Sequence, residues 1–455
     1  IQGRANTAYE VWYTGDNTPA GSAGSVVTDG KGIGTIENLL RNTSYTIVNQ
    51  NKPQEKVTGS TALVDAKLIA ERFANQGETT KQTLTQDGND EAATNSNVTV
   101  TRGADGNYTA ALQKAIQGTI EIPDTWGTVT LDLNGKTIQG ADATDAVKAQ
   151  VGLIFIADDD ESIHVHPGTT LKVINGTIRG GSGSAAHPNG APAVSTAMNN
   201  ARMAAAPTNA KIEVGNDAKL IGGQGANAAK NSSQHGGDGG AGITGTIELL
   251  VSGGTVQGGN GGNGADADIG AAKPGNGGSG GVGTNVKKVT LQSGAILGGN
   301  GGKGGKASGD NKNPGGTGGA GGDGTAGGGE NNNNGGNISG GAGGAGGDSS
   351  TGNGGQGGQG GNAGNNNNTG GGTENGGAGG SGGSSESGNG GAGGQGGNSN
   401  SGNAGTGGTG GNSNTGQGGN GGNGGQGQKP GAGGNGGTGS SGTNNGSSGK
   451  PGGST

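Results

Sequence analysis

Asp158, Asp159, Asp160 and Glu161 lie just ahead of His164 and His166, the densest group of ionisable side chains in the chain. On a stacked β scaffold, two carboxylates about 5–9 Å apart can cleave a glycosidic bond, one protonating the leaving oxygen and one attacking or activating water. His164 and His166 alternate on one face of a strand, where with a carboxylate they could hold a divalent metal. No third ligand is indicated by spacing. The acidic run has the make-up of a solvated turn ahead of an ordinary polar strand, and we read it so. Asp132, in the segment LDLNG, reads as a turn residue rather than a catalytic one. The many G-x-G-x-x-G matches follow from composition, since none opens a helix after a strand. Neither a phosphate-binding loop nor a Ser-His-Asp signature occurs. The expectation is a chain without enzymatic activity, cofactor or metal.

The elements that would have to position such groups are unusual. Of 455 residues 122 are Gly, hydrophobic residues make up 25% and aromatic residues 2%. Phe155 is the last aromatic residue, and beyond Ala307 the only apolar side chain larger than Ala or Pro is Ile338. A liquid-like core cannot be built there, because hydrophobic stabilisation scales with the apolar area buried. The net charge of −7 and the lack of Arg after Arg202 argue against nucleic acid and against polybasic membrane contact. With no Cys, disulfides and thiolate metal sites are excluded. No apolar run approaches the ~20 residues of a membrane-spanning helix. The chain opens at Ile1 without a targeting segment, and is read as a processed product or fragment.

Five regions follow from the patterning. Residues 1–55 alternate polar and apolar in TAYEVWYTG and again in TSYTIVN, which predicts a small β-sandwich-like unit. Residues 56–97 are read as helix and linker: Leu63, Ala66, Ala70 and Phe73 share a helical face over 61–75, capped by Ser60 or Thr61, and 76–97 is polar. Residues 98–211 open with a second expected helix at 108–117, stopped by Gly118. Strands follow in TIEIP, VTLDLNGKTIQG, GLIFIA and LKVINGTIRGG, with Asn134-Gly135 as a turn. An Ala- and Met-containing stretch, 184–207, reads as a lateral loop. Residues 212–306 repeat a strand pair followed by GGX triplets, at Ile212, Ile247 and Val289. The irregular offsets suit a solenoid with variable loops.

Residues 307–455 keep only the triplets, as in 315–324, 340–348, 354–364, 376–383, 390–397 and 418–427. A helix with three residues per turn, such as polyproline II, sets every third side chain on one edge and leaves its backbone groups unpaired within itself. Where two residues of three are Gly, two faces lack Cβ and neighbouring runs can exchange N–H···O bonds, with X facing solvent. Runs of this length would span about 25–31 Å. The composition alone would suit a flexible linker, and ordering Gly costs more backbone entropy than ordering any other residue. The constant register within runs and the regular interruptions favour an ordered, layered sandwich of glycine-rich left-handed helices. The expected fold is thus mainly β and polyglycine II, with a short right-handed β-helix between the N-terminal β unit and the glycine region.

The segment 108–140, YTAALQKAIQGTIEIP through VTLDLNGKTIQG, resembles the start of right-handed β-helix proteins of the pectate-lyase and phage-tailspike type, which implies a short helix capping the first coil. GGNGADADI (261–269) partly resembles the calcium-binding nonapeptide of RTX proteins, but occurs once, with its apolar position misplaced. LLVSGGTVQGGNGGNG and VTLQSGAILGGNGGKGG resemble the tail-fibre tip adhesins of T-even-type bacteriophages. That resemblance implies a polyglycine II sandwich whose end loops bind a host surface receptor, a glycan or an outer-surface protein. This chain departs from the family in having no bulky loop residues. Its breaks place Asn331, Asn332, Asn333, Asn334, Asn365, Asn366, Asn367, Asn368, Ser384, Ser385, Glu386, Asn398, Asn400, Asn412 and Asn414 as candidate binding residues. The function expected is a virion or extracellular receptor-binding fibre protein that assembles with other fibre or surface subunits. The alternatives are a structural protein of a bacterial surface or filament, and a polysaccharide-cleaving tailspike.

Overall fold

The computed structural model describes residues 3–14, 21–34, 36, 44–60, 65–84, 90–123, 126–156, 169–196, 210–268, 272–327, 329–364, 367–368, 371–440 and 444–454. Asp158, Asp159, Asp160, Glu161, His164, His166, Asn365, Asn366 and residues 197–207 of the stretch 184–207 lie outside them.

Four antiparallel strands form the first sheet: Ala8–Tyr13, Ser22–Val27, Ser44–Asn49 and Lys52–Ser60. Val11 and Tyr45 are buried, as the alternation requires. The helix is short, Ala66–Glu71, and starts one position beyond Asp65, whose carboxylate accepts the N–H of Leu68. Asp65 therefore takes the capping role expected of Ser60 or Thr61. The buried face is Ala66, Ile69, Ala70 and Phe73, so three of the expected residues share it, while Leu63 and Thr61 lie outside the described residues.

Two expectations for the following segment are corrected. The stretch read as a linker forms two antiparallel strands, Lys81–Leu84 and Asp90–Thr94, that continue through Val98–Arg102 into Tyr108–Leu112. Asn97 reaches back to the carbonyl of Phe73, and Glu78 accepts the backbone N–H groups of Asn75 and Ser96, so polar side chains tie strands to helix. The helix expected at 108–117 is strand instead. Tyr108, Ala110 and Leu112 are buried alternately, and pairing with Val129 and Leu131 overrides the helix propensity of Ala.

From there the chain winds into a β-solenoid of about five turns, with three parallel columns of strands. The first column stacks Tyr108–Leu112, Thr128–Asp132, Thr170–Ile174 and Lys211–Val214 under the long strands Ile243–Gln257 and Thr284–Leu297. Its inward side chains are aliphatic in coil after coil: Leu131, Val173, Val214, Val251, Leu291. The second column stacks Ile138, Ile178, Leu220, Val256, Ile296 and Ile338. The turn at Asn134-Gly135 is present as read, with both residues at positive φ.

The aliphatic interior then runs out. Under Val289 and Leu291 the next coil places Asn331 and Asn333, and under Ile338 the last places Glu374. The glycine runs take over as it fades. Each leaves the solenoid after the second column, as at Gly222, Gly258, Gly298 and Gly340. It turns back and re-enters at the third column, near Ile243, Thr284 and Thr325.

Candidate functional site

The runs hold together by a repeated pair of backbone bonds per triplet. Gly301 donates to the carbonyl of Ala342 in the next coil, and Gly302 donates to Gly278 of the facing returning run, each at 2.8 Å. The returning runs do likewise: Gly318 to Gln356 and Gly319 to Gly302. The N–H of X itself points along the surface, where no backbone carbonyl meets it. Where the X of the preceding coil is Asn or Asp, its side-chain oxygen accepts that N–H instead. Asn260 Oδ1 accepts from Asn300, and Asn300 Oδ1 from Ala342, both at 2.9 Å. On the other surface Asp323, Asn362 and Asn398 form a chain, each accepting the N–H of the next X, which ends at Gln426. Neither sequence periodicity nor composition pointed to this clamp. The signal that could have found it is Asn or Asp at an X position followed by another X one coil later, 26 to 42 residues on.

This geometry divides the expected binding residues among three places. Asn331, Asn332 and Asn333 belong to the strand Glu330–Asn333 of the solenoid, not to a surface loop. Asn331 is 4% and Asn333 0% exposed. Asn333 Oδ1 accepts from the N–H of Gly336 and its amide reaches Thr373, so the side chain closes the solenoid interior. Exposed Asn334 follows that strand, and Asn367 and Asn368 form a short strand paired under Asn332 and Asn333. These correct the loop assignment: register with Val289 and Leu291, not the polarity of the side chains, decides their place. Asn398 and Asn400 lie at the solenoid end of the glycine region, in a hollow of ≈ 360 Å³ with Asp323, Asn362, Ser399 and Gln426.

Ser384, Ser385, Glu386, Asn412 and Asn414 gather at the opposite end, where outgoing runs turn back. With Lys306, Asp348 and Ser350 they line a polar groove of ≈ 290 Å³. Its floor is a column of small inward side chains, Ala267, Ala307, Ser349, Ser385 and Ser413, bridged in parallel from coil to coil. Ser385 Oγ donates to Gly352 O and accepts from Gly388, Ser413 repeats the pattern on Gly388 and Gly416, and Asn412 clamps Thr438. Asp348 accepts from Ser384 N and pairs with Lys306 at 3.2 Å. Glu386 and Asn414 are exposed, and among the described residues neither side chain has a hydrogen-bond partner. They are free polar groups of the groove, together with the hydroxyls of Ser308, Ser350 and Ser384.

The aspartates of the segment like the calcium nonapeptide are engaged elsewhere. Asp266 accepts from Lys306 N, and Asp268 pairs with Lys230, whose ammonium it holds above the usual lysine range. Among the described residues no three His, Asp or Glu side chains gather as metal ligands. No described helix is long and apolar enough to cross a membrane.

No family model matches this chain, and no curated protein does. A solved structure of the springtail antifreeze protein from Granisotoma rainieri, a nine polyproline type II helical bundle, is similar at 30% identity. The match covers 42% of this chain and 94% of that one at a TM-score of 0.15, a value at which the two folds do not superpose.

Proposed function

We propose that the chain is an adhesive fibre protein displayed on a virion or a cell surface, with a glycine slab as rigid carrier and the far-end groove as contact site. In this reading the runs are left-handed polyglycine II helices packed in two layers, outgoing against returning. Three facts support it: bonds between runs at a period of three, φ outside the left-handed region at the triplet glycines, and X exposed or half-buried while its glycine neighbours pack inward. The partner we favour is a hydroxyl-rich surface glycan, because the groove offers carboxylate, hydroxyl and amide groups without an aromatic platform. The observation that carries the reading is the placement of Glu386 and Asn414, free of structural bonds, where three successive turns converge. A phage tail-fibre tip is the setting in which such a slab end would meet a host. A purely structural role in a bacterial surface layer is the competing reading, favoured by the rigidity the clamps confer.

Binding of the full chain to immobilised bacterial surface polysaccharides and to intact cells tests this. Glu386→Ala and Asn414→Ala should each weaken binding about five- to tenfold, the loss of one hydrogen bond to ligand. Gln395→Ala, on the exposed surface away from the groove, should leave it unchanged. Equal binding by all variants would remove the groove from the account, and absence of any binding would favour the structural role.

A further inference from the structure

In the returning runs 315–322, 354–361, 390–397 and 418–425 the first residue of each triplet is Gly, and the next coil's outgoing run passes against it. A Cβ on Gly354, Gly357, Gly390 or Gly393 would collide with the carbonyl oxygens of Gly383, Gly380, Gly411 or Gly408. On Gly418, Gly421 and Gly424 it would collide with those of Gly437, Gly434 and Gly431. These three glycines donate to Asn444, Ser447 and Lys450, which fixes the register of the run that follows. The positions equivalent to Gly418, Gly421 and Gly424 there are Asn445, Ser448 and Pro451. All three are exposed, and each has a Cβ on the face where another glycine run would have to pack.

Their chemistry closes the edge further. The outgoing run beside them aims the N–H groups of Gly433, Gly436 and Gly439 away from the preceding coil, as Gly407 and Gly410 aim theirs at Ala432 and Asn435. Asn445 Oδ1 accepts the N–H of Gly439 at 3.0 Å. Pro451 has no N–H to offer at all. Gly433 and Gly436 have no backbone partner among the described residues, so the edge has live donors behind a steric screen. Sheet edges are shielded by the same means, with Pro and with side chains that obstruct pairing.

We infer that Asn445, Ser448 and Pro451 form a stop on the glycine ladder, which keeps a second copy of this chain from adding its own glycine runs to this edge. Any glycine run in register would satisfy the same donors of such a ladder. The inference depends on the backbone register alone, so failure of the groove to bind a glycan leaves it standing.

The test is the full chain with Asn445→Gly, Ser448→Gly and Pro451→Gly together, compared with the parent by sedimentation velocity and amide exchange. Self-association should tighten at least about tenfold, the yield of one or two recovered backbone bonds. New protection should appear at Gly433 and Gly436. A control with Asn444→Gly, Ser447→Gly and Lys450→Gly adds the same number of glycines at X positions and should sediment as the parent does. A second variant, Ser448→Gly with Pro451→Gly, keeps the Asn445 cap and should associate more weakly than the triple. The inference is overturned if the triple variant keeps the parent's circular dichroism and sediments as the parent does, or if the control associates equally.

Discussion

Asn and Asp at X do a job that Ala, Ser, Thr and Gln at X cannot. Their side-chain oxygen sits at the right reach to accept the N–H of X on the next coil, a donor that would otherwise face only solvent. Asn398→Ala should expose the N–H of Gln426 and speed its exchange about fivefold, in line with the ~1 kcal/mol of a typical hydrogen bond. Asn398→Asp keeps the acceptor and should restore the slow rate; equal exchange in all three proteins would deny the clamp. Residue chemistry also sets an acid limit near the helix. The N–H groups of Asn75 and then Ser96 hold the Glu78 carboxyl below the usual carboxylate range. Its contribution to stability is therefore complete above the unfolded value of about 4.3 and is lost as pH falls through the lower folded value. Urea unfolding between pH 6 and pH 3 should show Glu78→Gln less stable than the parent at the upper end, with the difference shrinking toward the lower.

At the scale of elements, two ways of filling an interior meet in one chain. The solenoid uses aliphatic columns, and the glycine runs use backbone bonds at a separation that leaves no room for Cβ. Gly302→Ala would drive its Cβ into the carbonyl of Gly262, an overpacking that should destabilise the region by about 1–3 kcal/mol or more. Gln356→Ala, at an exposed X, should change stability by no more than about 0.5 kcal/mol. Similar losses from both, measured by amide exchange of the surrounding run, would mean that the runs do not pack as described. Much of this was legible in the sequence. The alternation in VTLDLNGKTI and the GGX register announced the solenoid strands and the run boundaries. Tyr108, Ala110 and Leu112 misled because short Ala-containing segments suit a helix as well as a strand, and only pairing under Val129 and Leu131 decides. Asn331 and Asn333 misled for the opposite reason, since Asn favours turns. Their spacing of 42 residues from Val289 and Leu291, with Ile338 the same distance from Ile296, is what places them in the column.

For the whole molecule, the order of the regions follows from supply of apolar side chains. While Leu, Ile and Val last, each coil closes on a hydrophobic interior. Once they are gone, at Asn331, Asn333 and Glu374, the chain continues only as glycine hairpins in the same register. The later coils keep the register of the early ones, from the aliphatic columns to the bridged small residues of the groove floor. The clamp, the groove floor and the stop at Asn445, Ser448 and Pro451 were not legible in advance. Each depends on which X stands beside which in the next coil, and that register is set by hairpin lengths that vary along the chain.

Beyond Ala307, backbone hydrogen bonds take the place of a side-chain core. Residue-resolved amide exchange on the full chain tests it most directly. The account expects the glycine amides of 315–324 and 354–364 to be protected to a degree comparable with the solenoid strand Thr284–Leu297. Exchange of those glycines at the rate of an unstructured chain, with the strand still protected, would contradict it.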